Sequence, residues 1–252
     1  MNGIDISNDS RPLGIDLGYF AGAASEYAWG KLPAEVRFVL PGFGWGLWND
    51  PDAPAYVAGI EGANRFWASW FFPYAHLTPR DQVTTWLKQP RPKHFPIFVD
   101  YERSRRFGTI PSASHLLECW SRLEQATGEA AGGYSRKNLI DTNLATMSTE
   151  DLNLRWWWLA QYGPTGVEDT RDIVLPLCVR RDRVLFHQTS DTVPPFPGFL
   201  THVPPPDHLD RDRWVGVMPI EEFAGAPNPP VPPTLEERIG GLERRVAALE
   251  AA

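Results

Sequence analysis

Phe95-Pro-Ile-Phe-Val-Asp-Tyr-Glu102 is an apolar run that ends in two carboxylates separated by one residue. Side chains alternate across a strand, so Asp100 and Glu102 point to one side and Tyr101 to the other. Two residues' rise holds the like charges roughly 7 Å apart. Partly withdrawn from water, each raises the proton affinity of the other. Cleavage of a glycosidic bond needs such a pair, one acid keeping its proton while another stays ionised. The same spacing also fits a solvated strand end, because Arg103, Arg105 and Arg106 follow at once. The six histidines offer no competing centre: His76, His187 and His208 are scattered and read as structural or surface residues. No group of residues has metal-ligand spacing, so neither a metal nor a cofactor is expected. Cys119 and Cys178 allow at most one bridge and read as two buried free thiols.

Acids at the end of an apolar strand act together only if other strands enclose them. Strand-like runs recur at Gly14–Leu17, Val36–Leu40, Trp67–Phe72, Pro96–Tyr101, Gly132–Ser135, Trp156–Gln161, Ile173–Cys178 and Val184–Gln188. Helical segments fall between several of them, at Ala53–Asn64, Pro79–Lys88 and Ser112–Thr127. Alternation of this kind predicts an α/β domain with a mainly parallel sheet, and eight runs suit a closed barrel. The helical signals thin out after Tyr134, so the expected barrel is irregular and TIM-like, with fewer helices in its second half. Asp100 and Glu102 would then face the barrel axis at a strand's C-terminal end, where barrel enzymes place their catalytic groups.

The 252 residues can bury a large core without disulfides. A net charge of −7 and the absence of a long basic run argue against a nucleic-acid partner. No run approaches the ~20 apolar residues of a membrane span, and no signal-peptide-like stretch follows Met1. Eleven Trp, thirteen Phe and seven Tyr supply flat faces for pyranose rings as well as core. Residues 1–223 read as the barrel and 224–233 (AGAPNPPVPP) as a stiff Pro-rich linker. Residues 234–252 read as a short coiled-coil helix, its seam formed by Leu235, Ile239, Leu242, Val246 and Leu249. That seam predicts homo-oligomerisation or docking to a larger assembly.

Several segments in fixed order resemble glycoside hydrolase family 25, the muramidases typified by the Chalaropsis-type lysozyme. Phe98-Val-Asp-Tyr-Glu102 is similar to the family's apolar D-x-E strand, and Gly14-Ile-Asp-Leu-Gly-Tyr-Phe-Ala-Gly22 to its first-strand motif. Arg37–Leu40 resembles the second strand, Trp70–His76 the aromatic third-strand segment, and Gly132-Gly-Tyr-Ser-Arg136 the fifth strand. Trp157–Gly163 looks like the L-W-[IV]-A-x-Y segment, Leu185–Gln188 like the W-Q strand, and Asp210–Gly216 like the closing D-x-[ND]-x-[FY]-x-G.

The resemblance implies an N-acetylmuramidase that needs no metal. Glu102 would be the general acid, and Asp100 would stabilise charge on the reacting sugar or orient its N-acetyl group. Asp16 and Asp210 would be flanking acids, with Asp5 of Gly3-Ile-Asp-Ile-Ser7 the alternative to Asp16. Tyr134, Tyr162, Gln188, Trp70 and Trp158 would line the sugar groove. Where the family carries a polar stretch after its second strand, this chain has Pro41-Gly-Phe-Gly-Trp-Gly46, read as a loop that reshapes the groove. The implied partner is a bacterial cell-wall glycan, and the implied setting a phage virion or host cytoplasm before release. The alternative is a non-catalytic phage structural or tail-associated protein that keeps the barrel for glycan binding or docking.

Overall fold

The computed structural model describes residues 10–18, 23–164, 167–200 and 209–226, together with Glu237, Gly240 and Arg244. Ten strands form one sheet: β1 (Leu13–Leu17), β2 (Val36–Trp45), β3 (Trp48–Asn49), β4 (Phe66–Trp67), β5 (Ser69–Phe72), β6 (Ile97–Asp100), β7 (Gly132–Arg136), β8 (Trp156–Ala160), β9 (Val184–Val193) and β10 (Leu209–Trp214). Around the barrel β1, β2, β5, β6, β7, β8 and β9 are parallel neighbours, and β10 closes the ring antiparallel to both β9 and β1. β3 and β4 pair with β2 outside that ring. The helices are α1 (Ala53–Gly62), α2 (Pro79–Trp86), α3 (Ala113–Thr127), α4 (Lys137–Asn143), α5 (Thr149–Asn153) and α6 (Ile220–Gly225). Among the described residues no α-helix joins β8 to β9 or β9 to β10. The expected irregular barrel is thus observed: α4 and α5 still lead into β8, and among the described residues the next α-helix is α6, after β10.

Local chemistry explains where the helices start and stop. Thr78, Ser112 and Ser148 each accept a hydrogen bond from the backbone N–H three residues on, satisfying a donor that the first turn leaves free. Gly128 ends α3 in the left-handed region at φ 74°, open to glycine without strain.

Two expectations need correction. Ile173–Cys178 is not a strand: the Val174 N–H donates to Gln161 Oε1 and the Leu177 N–H to Asp141 Oδ1, so side chains rather than a ladder satisfy this segment, which also holds Pro176. The eighth strand is β10, whose Leu209-Asp-Arg-Asp-Arg-Trp214 lacks an apolar run because its buried charges have partners of their own. Arg213 forms an ion pair with Glu168 at 2.7 Å, Asp212 accepts from the Trp158 indole N–H at 2.8 Å, and Arg211 lies over the Phe196 ring. In addition, Pro41–Trp45 continues β2 instead of looping, and the chain turns at Gly46 (φ 57°) into β3. α6 runs two residues past Phe223, with Ala224 buried. The seam residues of the tail, His208 and Asp5 lie outside the described residues.

The barrel interior is aromatic at its N-terminal end. Phe38, Phe98, Trp158, Phe186 and Trp214 fill it, and Phe223 of α6 plugs the opening, stacked on Phe95 at 5.5 Å. Bulky rings on some strands require bare backbone on their neighbours: a Cβ on Gly14 would lie 2.0 Å from Phe38, and one on Gly132 2.6 Å from Phe98. Gly132→Val is therefore expected to destabilise the fold by about 1–3 kcal/mol through overpacking, read as a lower urea midpoint. The outer face carries a second core in which Val99 and Tyr101 meet Val83, Trp86, Leu116 and Trp120 of α2 and α3. With one end plugged and Tyr101 committed outward, the acids of β6 are left at the other end.

Candidate active site

Asp16 near the end of β1, Asp100 at the end of β6 and Glu102 just beyond it stand at the C-terminal mouth. β10 runs the opposite way, so its second residue, Asp210, comes to the same mouth in register with Asp16. Gln188 of β9 ties the floor together. Its amide N–H groups donate to Asp16 Oδ2 at 2.5 Å and Asp210 Oδ2 at 3.2 Å, while Oε1 accepts from the Tyr134 and Tyr162 hydroxyls, each at 2.6 Å. Three acidic or amide side chains and two phenols, from four strands and the segment after β8, are thereby held in one mutual arrangement.

Burial governs the proton affinities. Asp100 is 8% exposed, and its carboxyl is held well above the usual range by burial and then by the charge of Glu102, against the pull of Arg136. Its Oδ1 has no hydrogen-bond partner among the described residues. Burial also raises Glu102, although Arg136 and Arg105 oppose it. Asp16 is raised well above the ordinary value by burial and by Asp210 and Asp212. Burial and Asp191 push Asp210 up to about 7. Carboxyls whose folded-state values are raised contribute stability that is full below about pH 4 and is lost as pH rises through the folded value. The melting temperature is accordingly expected to fall between pH 5 and pH 8, most steeply near 7, and Asp210→Asn to flatten that fall. Equal slopes in the two proteins would contradict the assignment.

The residues expected to line a groove take different places. Tyr134 and Tyr162 belong to the floor network, and Gln188 is its hub. Trp70 is half-buried at the rim, its indole N–H donating to the Leu40 carbonyl at 2.9 Å and its ring edge-on to Trp45 at 5.7 Å. A Cβ on Gly42 would lie 2.5 Å from that ring, which explains the glycine beside it. Trp158 is 2% exposed and sits beneath Tyr134, with ring centres 4.4 Å apart, so it supports the floor from below. His187 is buried between Arg11 and the Gln161 carbonyl, and His76 stacks on Tyr74. Cys119 is buried and Cys178 half-buried, both unbridged.

Four charged residues at the site were not singled out from sequence: Arg136, Asp212, Arg105 and Asp191. Arg136 Nε lies 3.2 Å from Glu102 Oε1, with the guanidinium 4.6 Å over the Tyr162 ring. Asp212 is fully buried below Asp210. A two-residue step along each strand, from Tyr134 to Arg136 and from Asp210 to Asp212, places both on the inward face. Nothing in the spacing marks Arg105 or Asp191, which act on the carboxylates through space. Among the described residues, no group of three or more His, Cys, Asp or Glu could hold a metal ion, and no helix is long and apolar enough to cross a membrane.

Neither a family sequence model nor a curated protein sequence matches the chain. Solved structures do. The chain is similar to a bacterial lysozyme from Streptomyces coelicolor at 14% identity and a TM-score of 0.66, over 86% of this chain and 96% of that one. It resembles the catalytic domain of an endolysin from a bacteriophage of Listeria monocytogenes at 13% identity and 0.64, over 86% and 98%. A family 25 lysozyme from Aspergillus fumigatus gives 14% identity and 0.60, over 86% and 98%. With the carboxylate-lined mouth at the same end as the strands' C-termini, the chain has the barrel fold of the glycoside hydrolase family 25 lysozymes.

Proposed function

We propose that the chain is a peptidoglycan hydrolase, cleaving the β-1,4 bond between N-acetylmuramic acid and N-acetylglucosamine. The observation that carries this reading is the pair Asp100 and Glu102 at the open end of the barrel, two inward carboxyls that share a raised proton affinity. Glu102, the more accessible of the two, protonates the leaving glycosidic oxygen. Asp100, once ionised, faces the positive charge that develops on the sugar. Asp16, Asp210 and Gln188 hold the floor rigid beneath the reacting ring, and Trp70 with Trp45 and Trp48 offers the rim on which a neighbouring sugar stacks. Lysozymes and an endolysin among the structural neighbours support a cell-wall substrate.

The test is to incubate purified full chain with insoluble cell walls and count new reducing ends. Release of ends supports hydrolysis; wall binding without release supports the second reading, a glycan-binding structural protein of a phage particle. The observation favouring that second reading is Arg136, whose ion pair with Glu102 works against a protonated acid. In either reading residues 234–252 are proposed to join chains or dock them to an assembly. Truncation after Pro233 should lower the solution mass, and an unchanged mass would count against the coiled coil.

A further inference from the structure

Tyr101 stands between the two acids of the mouth, and its side chain points away from them. Its backbone is fixed on both sides, the N–H donating to the Tyr134 carbonyl at 2.8 Å and the carbonyl accepting from Ser135 Oγ at 2.7 Å. The residue is 0% exposed, yet its hydroxyl has no hydrogen-bond partner among the described residues. A buried hydroxyl left unpaired is destabilising, so a native chain that keeps one needs a reason for it. Burial pushes the phenol up to about 12, so it keeps its proton and is a donor at neutral pH. The same side chain forms part of the wall of a cavity of about 460 Å³, which lies between the start of α3 and the end of α4.

Ser112 caps α3 by accepting from the His115 N–H at 3.1 Å. The two N–H groups before it, of Ala113 and Ser114, belong to the turn that has no helical carbonyl to meet. They stand at the positive end of a 15-residue helix. Ser112 and Ser114 both line the cavity, their hydroxyls 2.9 Å apart. Asn143 and Thr146 add an amide and another hydroxyl from the α4 side, and Ile110 and Pro111 add an apolar wall. No Asp, Glu, Lys or Arg is among the lining residues, so no carboxylate repels an anion there. An unpaired phenol donor and a helix start on one cavity ask for an acceptor with several oxygens. The volume is that of a small-molecule site, with room for more than a bare ion. We propose that this cavity binds a phosphate ester. Its phosphate oxygens meet the first N–H groups of α3, the Ser112 and Ser114 hydroxyls and the Tyr101 phenol, and its organic part lies on Ile110 and Pro111. The site is independent of what the mouth cleaves.

The experiment is calorimetry and thermal melting of the full chain with glycerol 3-phosphate, a poly(glycerol phosphate) chain, and glycerol as the neutral control. Glycerol 3-phosphate at about ten times its Kd should raise the melting temperature by about 3–6 °C, and glycerol should leave it unchanged. Tyr101→Phe removes the hydroxyl alone. Without ligand it should melt no lower than the unmodified chain, because an unpaired buried donor has gone. It should bind glycerol 3-phosphate roughly tenfold more weakly. Ala113→Pro deletes one N–H at the first helical position, which tolerates proline, and should weaken binding by roughly a similar factor. Tighter binding of the polymer, counted per phosphate, identifies a phosphodiester polymer as the source of the ligand, and tighter binding of the monomer a free phosphate ester; either satisfies the proposal. Binding of neither phosphate, glycerol bound as well as glycerol 3-phosphate, or an affinity left unchanged by Tyr101→Phe or Ala113→Pro overturns it. So does a lower melting temperature of ligand-free Tyr101→Phe, which would mean that the hydroxyl already has a partner.

Discussion

Glu102→Gln should lower kcat on wall glycan about a thousandfold, the scale of a lost general acid, while the chain still folds and still binds the glycan. Glutamine matches the shape of the side chain but has no proton to give. The substitution also removes the negative charge that helps hold Asp100 in its protonated form, so the melting temperature should hold or rise rather than fall. A loss of activity accompanied by a lower melting temperature would instead point to a structural role. Asp100→Asn should be nearly as damaging to kcat, because the developing positive charge then faces a neutral amide. Asp210→Asn, one step further from the reacting bond, should cost less.

The second large effect is on stability. Glu168 lies in the segment between β8 and β9, and both its carboxylate and the Arg213 guanidinium are almost wholly buried. Arg213 Nε and Nη2 donate to Glu168 Oε2 at 2.9 and 2.7 Å, and Nη1 to the Arg11 carbonyl at 3.1 Å. Removing one member of such a pair leaves a buried charge uncompensated, at a cost of about 3–5 kcal/mol. Glu168→Ala should therefore lower the melting temperature by roughly 10 °C or more. A double replacement of Glu168 and Arg213 by apolar residues should recover much of the loss. If Glu168→Ala melted with the parent chain, the pair would not hold the β8–β9 segment to the barrel wall.

The parts of the molecule visible in the sequence are those where one physical rule acts alone. β6 could be read because an apolar run stops abruptly at two acids, and α3 because Ser112 and Gly128 bracket an amphipathic stripe. β10 was hidden because its inward and outward faces are both charged, each charge answered by a residue far away in sequence: Glu168, Trp158 or Phe196. Ile173–Cys178 misled for the opposite reason, since its apolar letters do not share one buried ladder: Ile173, Leu175 and Cys178 pack partly on the outer core while Val174 and Leu177 face the surface, Leu177 90% exposed. At the mouth, residue types and family-like order picked out Asp16, Asp100, Glu102, Tyr134, Tyr162, Gln188 and Asp210, which the barrel gathers at one end. The order of these motifs could not tell that Trp158 lies under the floor. Nor could it tell that Arg136 reaches Glu102, because both depend on which side chains the closed ring brings face to face.

Identifying the new reducing end tests the central claim most directly. Digesting purified peptidoglycan with the full chain, reducing the products with borohydride and weighing the terminal sugar alcohol by mass spectrometry reads the cleaved bond itself. The carboxylates at this mouth predict reduced N-acetylmuramic acid, absent from the Glu102→Gln digest. Reduced N-acetylglucosamine alone, or no reduced sugar from the unmodified chain, would contradict it.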